Sequence, residues 1–444
     1  MTRLFAIPRQ VIKKGAGFIL GLTALFYISY ILGVDFLLPL FLACIFIHLR
    51  YTCRNCNMLN LALLFVIIFV ISYFIIQHGW PIFYIPFSII PMLSAIMFDD
   101  LGLSLLITLS SSLSVAYLSN NDSWGILFLI SGILSAILVK GAHRRVAIIR
   151  AGLIIGLAQI IALFFIKHLK FVYPQEYLMF MLNGILSSII VIGILPIFEY
   201  LFKTITNISL LELADFSQPL LQRMMIEAPG TYHHSLIVGN LSEAASAAVE
   251  ANALLSRIGA YYHDIGKLQK PEYFSENQSI KAGKHDTLAP TMSKLVIMNH
   301  IHDGLQLAKK YKLNPHLIDF ILQHHGTSLV YYFYRRALEN SREDQEITEE
   351  GFRYPGPKPN TKETAIVLLA DSTEAATRAQ GEPTPENIKE IVQKVINNKF
   401  IDGQLDECDL TLKDIEKISL TFTRILSGIY HARITYPEGS VSSK

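Results

Sequence analysis

Cysteine is scarce in this chain: four in 444 residues, too few for a disulfide framework. Cys53 and Cys56 form a Cys-x-x-Cys in a short loop between apolar segments. No second pair completes a zinc site, so they read as free thiols. Cys44 and Cys408 stand alone. Charged residues are thin, at 17%, and the net charge of +2 comes without a basic block or basic–aromatic interleaving. A nucleic-acid polymer is therefore not an indicated partner. No run alternates convincingly at the period of a β-strand. Paired charges are missing from the apolar segments, which weakens a transporter reading. No small-residue cleavage site follows the first apolar run, so a cleaved signal peptide is not expected.

What the chain does have is apolar length. Its 52% hydrophobic content is unevenly placed: residues 16–202 are apolar with brief polar interruptions, and the rest reads as a soluble helical protein. Apolar segments fall at about 16–33, 35–49, 59–77, 81–98, 101–118, 124–139, 151–167 and 177–202. Most approach the ~20 residues that cross a bilayer. The second and sixth are short, and the first two make a tight hairpin at Gly33-Val34-Asp35. Arg3, Arg9, Lys13 and Lys14 precede the first segment; Arg50 and Arg54 follow the second; Lys140, Arg144, Arg145 and Arg150 follow the sixth. By the positive-inside rule all three places are cytoplasmic. The alternate breaks, around His78-Gly79-Trp80 and Ser119 to Trp124, carry no Lys or Arg and hold both tryptophans. Lys167 and Lys170 are a mild exception. Eight crossings put both termini inside; seven would put the C-terminal half outside, against the charge pattern. The bilayer is one partner, and the spans serve either as an anchor and homo-oligomerisation platform or as a sensor.

The C-terminal half holds the chemistry. Gly230-Thr-Tyr-His-His-Ser is followed by Tyr261-Tyr-His-Asp-Ile-Gly-Lys, then His300, the pair His324-His325, and Asp371 inside an apolar run. Seven of these side chains are metal-type ligands: His234, His263, Asp264, His300, His324, His325 and Asp371. Seven exceed what one open catalytic ion takes from protein. The set reads as two metals sharing a carboxylate, machinery for attack on phosphorus. His263 suits one ion while Asp264, with two oxygens, bridges both. Lys267, three residues after Asp264, is expected on the same helical face, where its cation holds a phosphate oxygen or assists the leaving group. Asp371 reads equally well as a helix cap until the surplus of histidines is counted. The segment 203–229 reads as an amphipathic linker helix broken by Pro229-Gly230-Thr231. Helical spacing recurs through 235–258, 290–310, 315–326, 362–380, 384–399 and 411–431. Polar inserts at about 270–288 and 341–361 are expected to be surface loops able to rim a site.

With those residues in hand, the chain resembles the HD phosphohydrolase superfamily. More narrowly it is similar to the membrane-bound cyclic-di-AMP phosphodiesterases of the PgpH type, the seven-transmembrane receptor HD family of bacteria. The strings that carry the resemblance are Gly-Thr-Tyr-His-His-Ser (230–235), Gly-Ala-Tyr-Tyr-His-Asp-Ile-Gly-Lys (259–267), Ser-Glu-Asn-Gln (275–278), Asp-Phe-Ile-Leu-Gln-His-His-Gly-Thr-Ser (319–328), Arg-Tyr-Pro-Gly-Pro-Lys-Pro (353–359) and Leu-Leu-Ala-Asp-Ser (368–372). The resemblance implies an all-α protein: a polytopic transmembrane bundle (1–202), a linker helix (203–229), a cytoplasmic all-helical HD domain (230–435) and a tail (436–444). It implies His234, His263 and Asp371 on one metal, His300, His324 and His325 on the other, and Asp264 bridging. It further implies two divalent ions, manganese or iron, and linearisation of cyclic di-AMP to pApA at a bacterial cell membrane. The family's large extracytoplasmic domain after the first span is not expected, because only the turn at 33–35 separates the first two segments.

The cyclic-di-GMP hydrolases of the HD-GYP kind carry a Gly-Tyr-Pro string after the paired histidines; here Gly326-Thr-Ser-Leu-Val follows, which makes cyclic di-GMP the alternative substrate. The complete ligand set disfavours a receptor that binds nucleotide without turnover. Base and phosphate contacts are sought in Arg335, Arg336, Tyr354 and Lys358, which equally suit ordinary loop and surface roles. The charge pattern generates a first test. A reporter inserted in 140–150 should behave as cytoplasmic and one in 119–123 as external; the reverse would overturn the eight-span reading.

Overall fold

The computed structural model describes residues 58–169, 173–278, 288–340, 347–381 and 383–430. The apolar segments at 16–33 and 35–49, the turn at 33–35, the Cys53–Cys56 pair and the tail lie outside them. The described residues are α-helices and short 3-10 turns, with one isolated β-bridge between Leu329 and Arg353. The chain divides into two compact units, Met1–Ser209 and Leu210–Lys444.

The first unit contains α1 (Met58–Gln77), α2 (Ile89–Phe98), α3 (Leu101–Ser119), α4 (Asp122–Val139), α5 (Arg145–Ile166) and α6 (Pro174–Phe202). By length and composition α3 to α6 can each cross a membrane. Unlike a soluble bundle, these helices are apolar on their outward faces as well as in their core. Large apolar side chains such as Ile161, Phe165 and Leu186 face outward, while Ser104, Thr108, Ser111, Ser131, Ser135 and Ser188 face inward. Small residues let helices in lipid approach closely. Buried hydroxyls return to their own helix, as Thr108 does to the Ser104 carbonyl at 2.7 Å.

The span expected at 81–98 is not one helix. A 3-10 turn at Ile82–Tyr84 precedes irregular backbone, and only then does the 10-residue α2 begin. A helix of that length rises about 15 Å, half of the ~30 Å hydrocarbon core. Pro81 and Pro86 account for the interruption, since neither donates a backbone hydrogen bond. The Asn183 amide on α6 donates to the freed carbonyls of Phe83 (2.8 Å) and Ile85 (2.9 Å). Irregular backbone is tolerated at membrane depth when so satisfied.

The stretch 203–229 also departs from expectation. It forms two short helices, α7 (Asn207–Leu213) and α8 (Pro219–Glu227). Glu199 on α6 caps the start of α7, accepting from the Thr206 N–H at 3.0 Å and the Ser209 hydroxyl at 2.7 Å. Asp215 then accepts from the Ser217 N–H at 2.8 Å in a turn that ends at Pro219.

The second unit continues with α9 (Pro229–Ala248), α10 (Ala253–Tyr262), α11 (Pro290–Lys310), α12 (Pro315–Gln323), α13 (Tyr331–Glu339), α14 (Lys362–Arg378), α15 (Pro385–Ile401) and α16 (Leu412–Ile429). Pro229-Gly230-Thr231 opens α9; proline is favoured there because its missing N–H has no partner in the first turn. The expected run 235–258 is interrupted where Glu250 turns left-handed and Asn252 caps α10. The helix α13 was not among the expected elements. At the centre lies α14, whose residues from Ala365 to Ala370 are wholly buried, with Val238, Leu241, Ile388, Val392, Ile418 and Phe422 in the same core.

Close approach in the membrane unit can be tested at Gly184. A Cβ there would lie 2.5 Å from both the Gly152 carbonyl oxygen and the Gly156 nitrogen, whereas one at Gly193 would meet nothing within 4 Å. Gly184→Ala should cost about 1–3 kcal/mol, the range for overpacking, and lower the melting temperature in detergent. Gly193→Ala should not. Equal shifts would show that helix contact is not what the glycine serves.

Candidate metal centre

Each ligand is delivered by local geometry. On α9 the inward face carries Thr231, His234, Ser235 and Val238, which leaves His234 only 2% exposed and its neighbour His233 facing solvent. Helix α10 ends at Tyr262, and His263 follows as its cap. Here the expectation of a continuous helical face is corrected: Asp264 leads into a 3-10 turn, Ile265–Gln269. With three residues per turn that winding eclipses positions i and i+3, and Lys267 Nζ reaches Asp264 Oδ2 at 2.8 Å. Gly266 makes the fit possible, since a Cβ there would lie 1.8 Å from the His300 carbonyl oxygen. Asp371 lies inside α14 rather than at its end, so it is not a cap.

Four imidazoles are oriented alike. His263 Nδ1 donates to the Ala260 carbonyl at 2.6 Å, His300 Nδ1 to that of Ile297 at 2.5 Å, and His324 Nδ1 to those of Phe320 and Ile321 at 3.0 Å. His234 Nδ1 bonds Glu374 Oε2 at 2.5 Å. A carbonyl only accepts, so in the first three Nε2 is left as the free ligand atom.

The side chains assemble into two groups, His234, His263, Asp264 and Asp371 in one, His300, His324 and His325 in the other, with the ligand atoms of each group all within 4.8 Å of one another. Asp264 stands between them. Its Oδ2 lies 3.1 Å from His263 Nε2 and 3.8 Å from His234 Nε2; its Oδ1 lies 3.4 Å from His300 Nε2 and 3.5 Å from His324 Nε2. His263 Nε2 and Asp264 Oδ1 are buried without hydrogen-bond partners. Orphaned polar atoms of these types, one within the first group and the other turned to the second, fit a pair of bound cations.

Electrostatics separate the two groups. Burial alone would raise the Asp371 and Asp264 pKa values, but hydrogen bonds and charge from His234, His263 and Lys267 bring both below the ordinary carboxylate value. Burial lowers His234, yet its bonds to Asp371 and Glu374 prevail and push it up to about 9. His300 sits at about 4 and His325 is also depressed, both chiefly by burial.

Two positioning carboxylates went unassigned in the sequence. Glu374 is one turn beyond Asp371, a spacing that could have signalled it. Glu276, inside the Ser-Glu-Asn-Gln string, pairs with Lys267 at 2.7 Å and is held at a pKa of about 2: burial raises it, but Lys267 prevails. The four sought substrate contacts are split. Tyr354 stacks on His325 with ring centroids 4.3 Å apart. Lys358 lies 3.7 Å from Asp406. Arg335 and Arg336 line a surface pocket of about 500 Å³ with Tyr331, Tyr332 and Glu339, to which none of the seven ligands contributes.

Residues 22–206 match the family described as 7TM receptor with intracellular HD hydrolase, and residues 231–376 match the HD domain. The two matches together place the chain's similarity with membrane-spanning HD-domain proteins. Among relatives, it is 45% identical over 327 residues to the cyclic-di-AMP phosphodiesterase PgpH of Bacillus subtilis (strain 168), covering 72% of this chain and 45% of that protein. It is 38% identical over 389 residues to PgpH of Listeria monocytogenes serotype 1/2a (strain 10403S), covering 86% and 53%. The chain thus spans about half the length of these curated relatives. The crystal structure of the L. monocytogenes PgpH HD domain in complex with cyclic di-AMP is 46% identical, covering 49% of this chain and all of that one, with a TM-score of 0.46.

The raised His234 pKa sets a pH signature for the metal-free protein. Its folded value, about 9, exceeds the ordinary 6.5, so the stability it contributes is complete below the lower value and lost as pH rises through the higher. In EDTA, melting temperature should fall between pH 6.5 and 9, and His234→Asn should flatten that decline. An equal decline in both proteins would assign it elsewhere.

Proposed function

We propose that the chain is a membrane-anchored, metal-dependent phosphodiesterase that hydrolyses cyclic di-AMP to pApA, with its HD domain on the cytoplasmic face. The observation that carries the reading is the Asp264 carboxylate, one oxygen turned to each ligand group. His234, His263 and Asp371 would hold one divalent ion, His300, His324 and His325 the other, with Asp264 shared. When bound, such a pair supplies a nucleophilic water and neutralises charge on the attacking and leaving oxygens of an in-line displacement. Imidazole with carboxylate suits manganese or iron, without excluding zinc on affinity order.

The remaining steps belong to the protein. Lys267, fixed between Asp264 and Glu276 and 5.0 Å from the Phe274 ring centroid, directs a permanent positive charge at the anionic diester. His325, 20% exposed, and its stacking partner Tyr354 form the more open edge of the centre, where substrate enters. The choice of cyclic di-AMP is supported by the named relatives and by the absence of Gly-Tyr-Pro after His325. The charge pattern of the apolar half supports the cytoplasmic placement.

Two measurements on the full chain in detergent test this reading. Loaded with manganese or iron, it should bind two ions and convert cyclic di-AMP to pApA in preference to cyclic di-GMP or guanosine tetraphosphate, with products resolved by chromatography. Asp264→Ala should lose both ions and turnover. His234→Ala should nearly abolish hydrolysis, whereas the exposed His233→Ala should lose no more than the roughly 10–100-fold of an outer-shell contact. One bound ion in a fully loaded wild type would defeat the two-metal reading.

A further inference from the structure

Lys399 is a cation that the proposed reaction does not yet use. It lies in the last turn of α15, partly buried, and its Nζ donates to the Ser328 hydroxyl at 2.7 Å. Four other cations close to the centre or to its rim have carboxylate partners: Lys267 with Asp264 and Glu276, Arg353 with Asp402 and Glu349, Lys358 with Asp406, Lys362 with Asp414. Among the described residues none lies within 4 Å of Lys399 Nζ. The nearby Asp402 is engaged by Arg353 at 2.8 Å and by Gln404 at 2.8 Å. One hydroxyl satisfies one of three ammonium donors, and a partly desolvated charge with unspent donors is costly unless an anion answers it.

The position of Ser328 says where that anion comes from. Its N–H donates to the His325 carbonyl at 3.1 Å, and its own carbonyl accepts from the Tyr354 N–H at 3.0 Å. Tyr354 in turn stacks on His325. The ammonium is thus anchored to the turn that carries the open edge of the metal centre. Burial depresses its pKa, and Asp371 is the foremost negative charge acting on it. Lys267, by contrast, is paired with Asp264 itself. A cyclic dinucleotide carries two phosphodiesters, only one of which is cleaved, and the charge of the other needs a partner.

Resting on the phosphodiesterase reading, we propose that Lys399, with Ser328, forms the oxyanion site for the non-scissile phosphate of the cyclic dinucleotide. Lys399 is then a specificity determinant that favours diesters carrying a second phosphate.

The test compares cyclic di-AMP with bis(4-nitrophenyl) phosphate, a diester with a single phosphate, on the metal-loaded 444-residue chain. Lys399→Met keeps the length and packing of the side chain; Lys399→Arg keeps the charge. Loss of a charge-assisted contact should raise KM for cyclic di-AMP by roughly 10–100-fold in Lys399→Met. The ratio of kcat/KM for cyclic di-AMP to that for the single-phosphate diester should fall by a similar factor, with most of it restored in Lys399→Arg. Circular dichroism and metal content check that both variants are folded and loaded. The proposal is overturned if folded Lys399→Met loses both substrates equally, as a purely structural brace would, or if Lys399→Arg is no better than Lys399→Met. A wild type that cleaves bis(4-nitrophenyl) phosphate but not cyclic di-AMP removes the substrate reading itself. One that cleaves both, with Lys399→Met matching it, removes only the anchor.

Discussion

Burial of like charge around Asp264 is the constraint from which the rest of the second unit follows. Asp264, Asp371, Glu374 and Glu276 are all buried or nearly so, and the cations paired among them are Lys267 and, at the edge, Arg378. Two negative charges in excess cannot stand uncompensated in a protein interior. Without metal the deficit is met partly by a proton, which is why the His234 imidazole is drawn up to about 9. Two divalent cations would more than cover the excess and release that proton. The same centre would then be attractive to an anionic diester. The imidazole-only group is built differently: His300 and His325 are held neutral by burial, ready to ligate without losing a proton first.

The scaffold meets the geometric demand economically because two of its histidines lie where helices end. The last carbonyls of a helix have no partner within it. His263 just past α10 and His324 just past α12 turn Nδ1 back onto carbonyls of their own last turns. The cap and the ligand orientation are therefore one interaction, and Nε2 is aimed forward without any added residue. The membrane unit answers a different demand with equal local logic. There the solvent offers no hydrophobic drive between helices, so contact rests on glycine and hydroxyl faces and on single polar groups such as Asn183.

Much of this was legible in the chain. His-Asp and His-His dipeptides, the lone His300 and an aspartate in an apolar run could be collected by residue type alone, and the structure brings all seven together. What could not be read depends on distant contacts. The break before α2 required knowing that Asn183, a hundred residues on, would take up the Phe83 carbonyl. Pattern alone saw an unbroken apolar run. The linker was read as one helix because apolar spacing carried across Asp215 to Pro219, and turn chemistry prevailed over periodicity there. Glu276 and Glu374 look like ordinary helix or loop acids until their partners are in view. Lys399 sits in an amphipathic helix where a lysine needs no explanation, and its bond to Ser328, on the turn that follows His325, sets it apart.

The surroundings of Lys267 join the positioning of this cation to that of the candidate metal ligands. Glu276 holds Lys267, and it also accepts from the Thr231 hydroxyl at 3.2 Å. Asn277 beside it accepts from the Thr231 N–H at 3.1 Å and donates back to the Thr231 hydroxyl at 2.9 Å. Thr231 lies in the first turn of α9, one turn before His234. A shift of this loop would therefore move the cation and loosen the start of the helix that carries a ligand. That shared clasp explains why a string with no ligand of its own, Ser-Glu-Asn-Gln, belongs to the site as much as the histidines do. It fixes the separation between the Lys267 charge and the group that would hold the first ion, a separation that the proposed in-line displacement could not leave to chance.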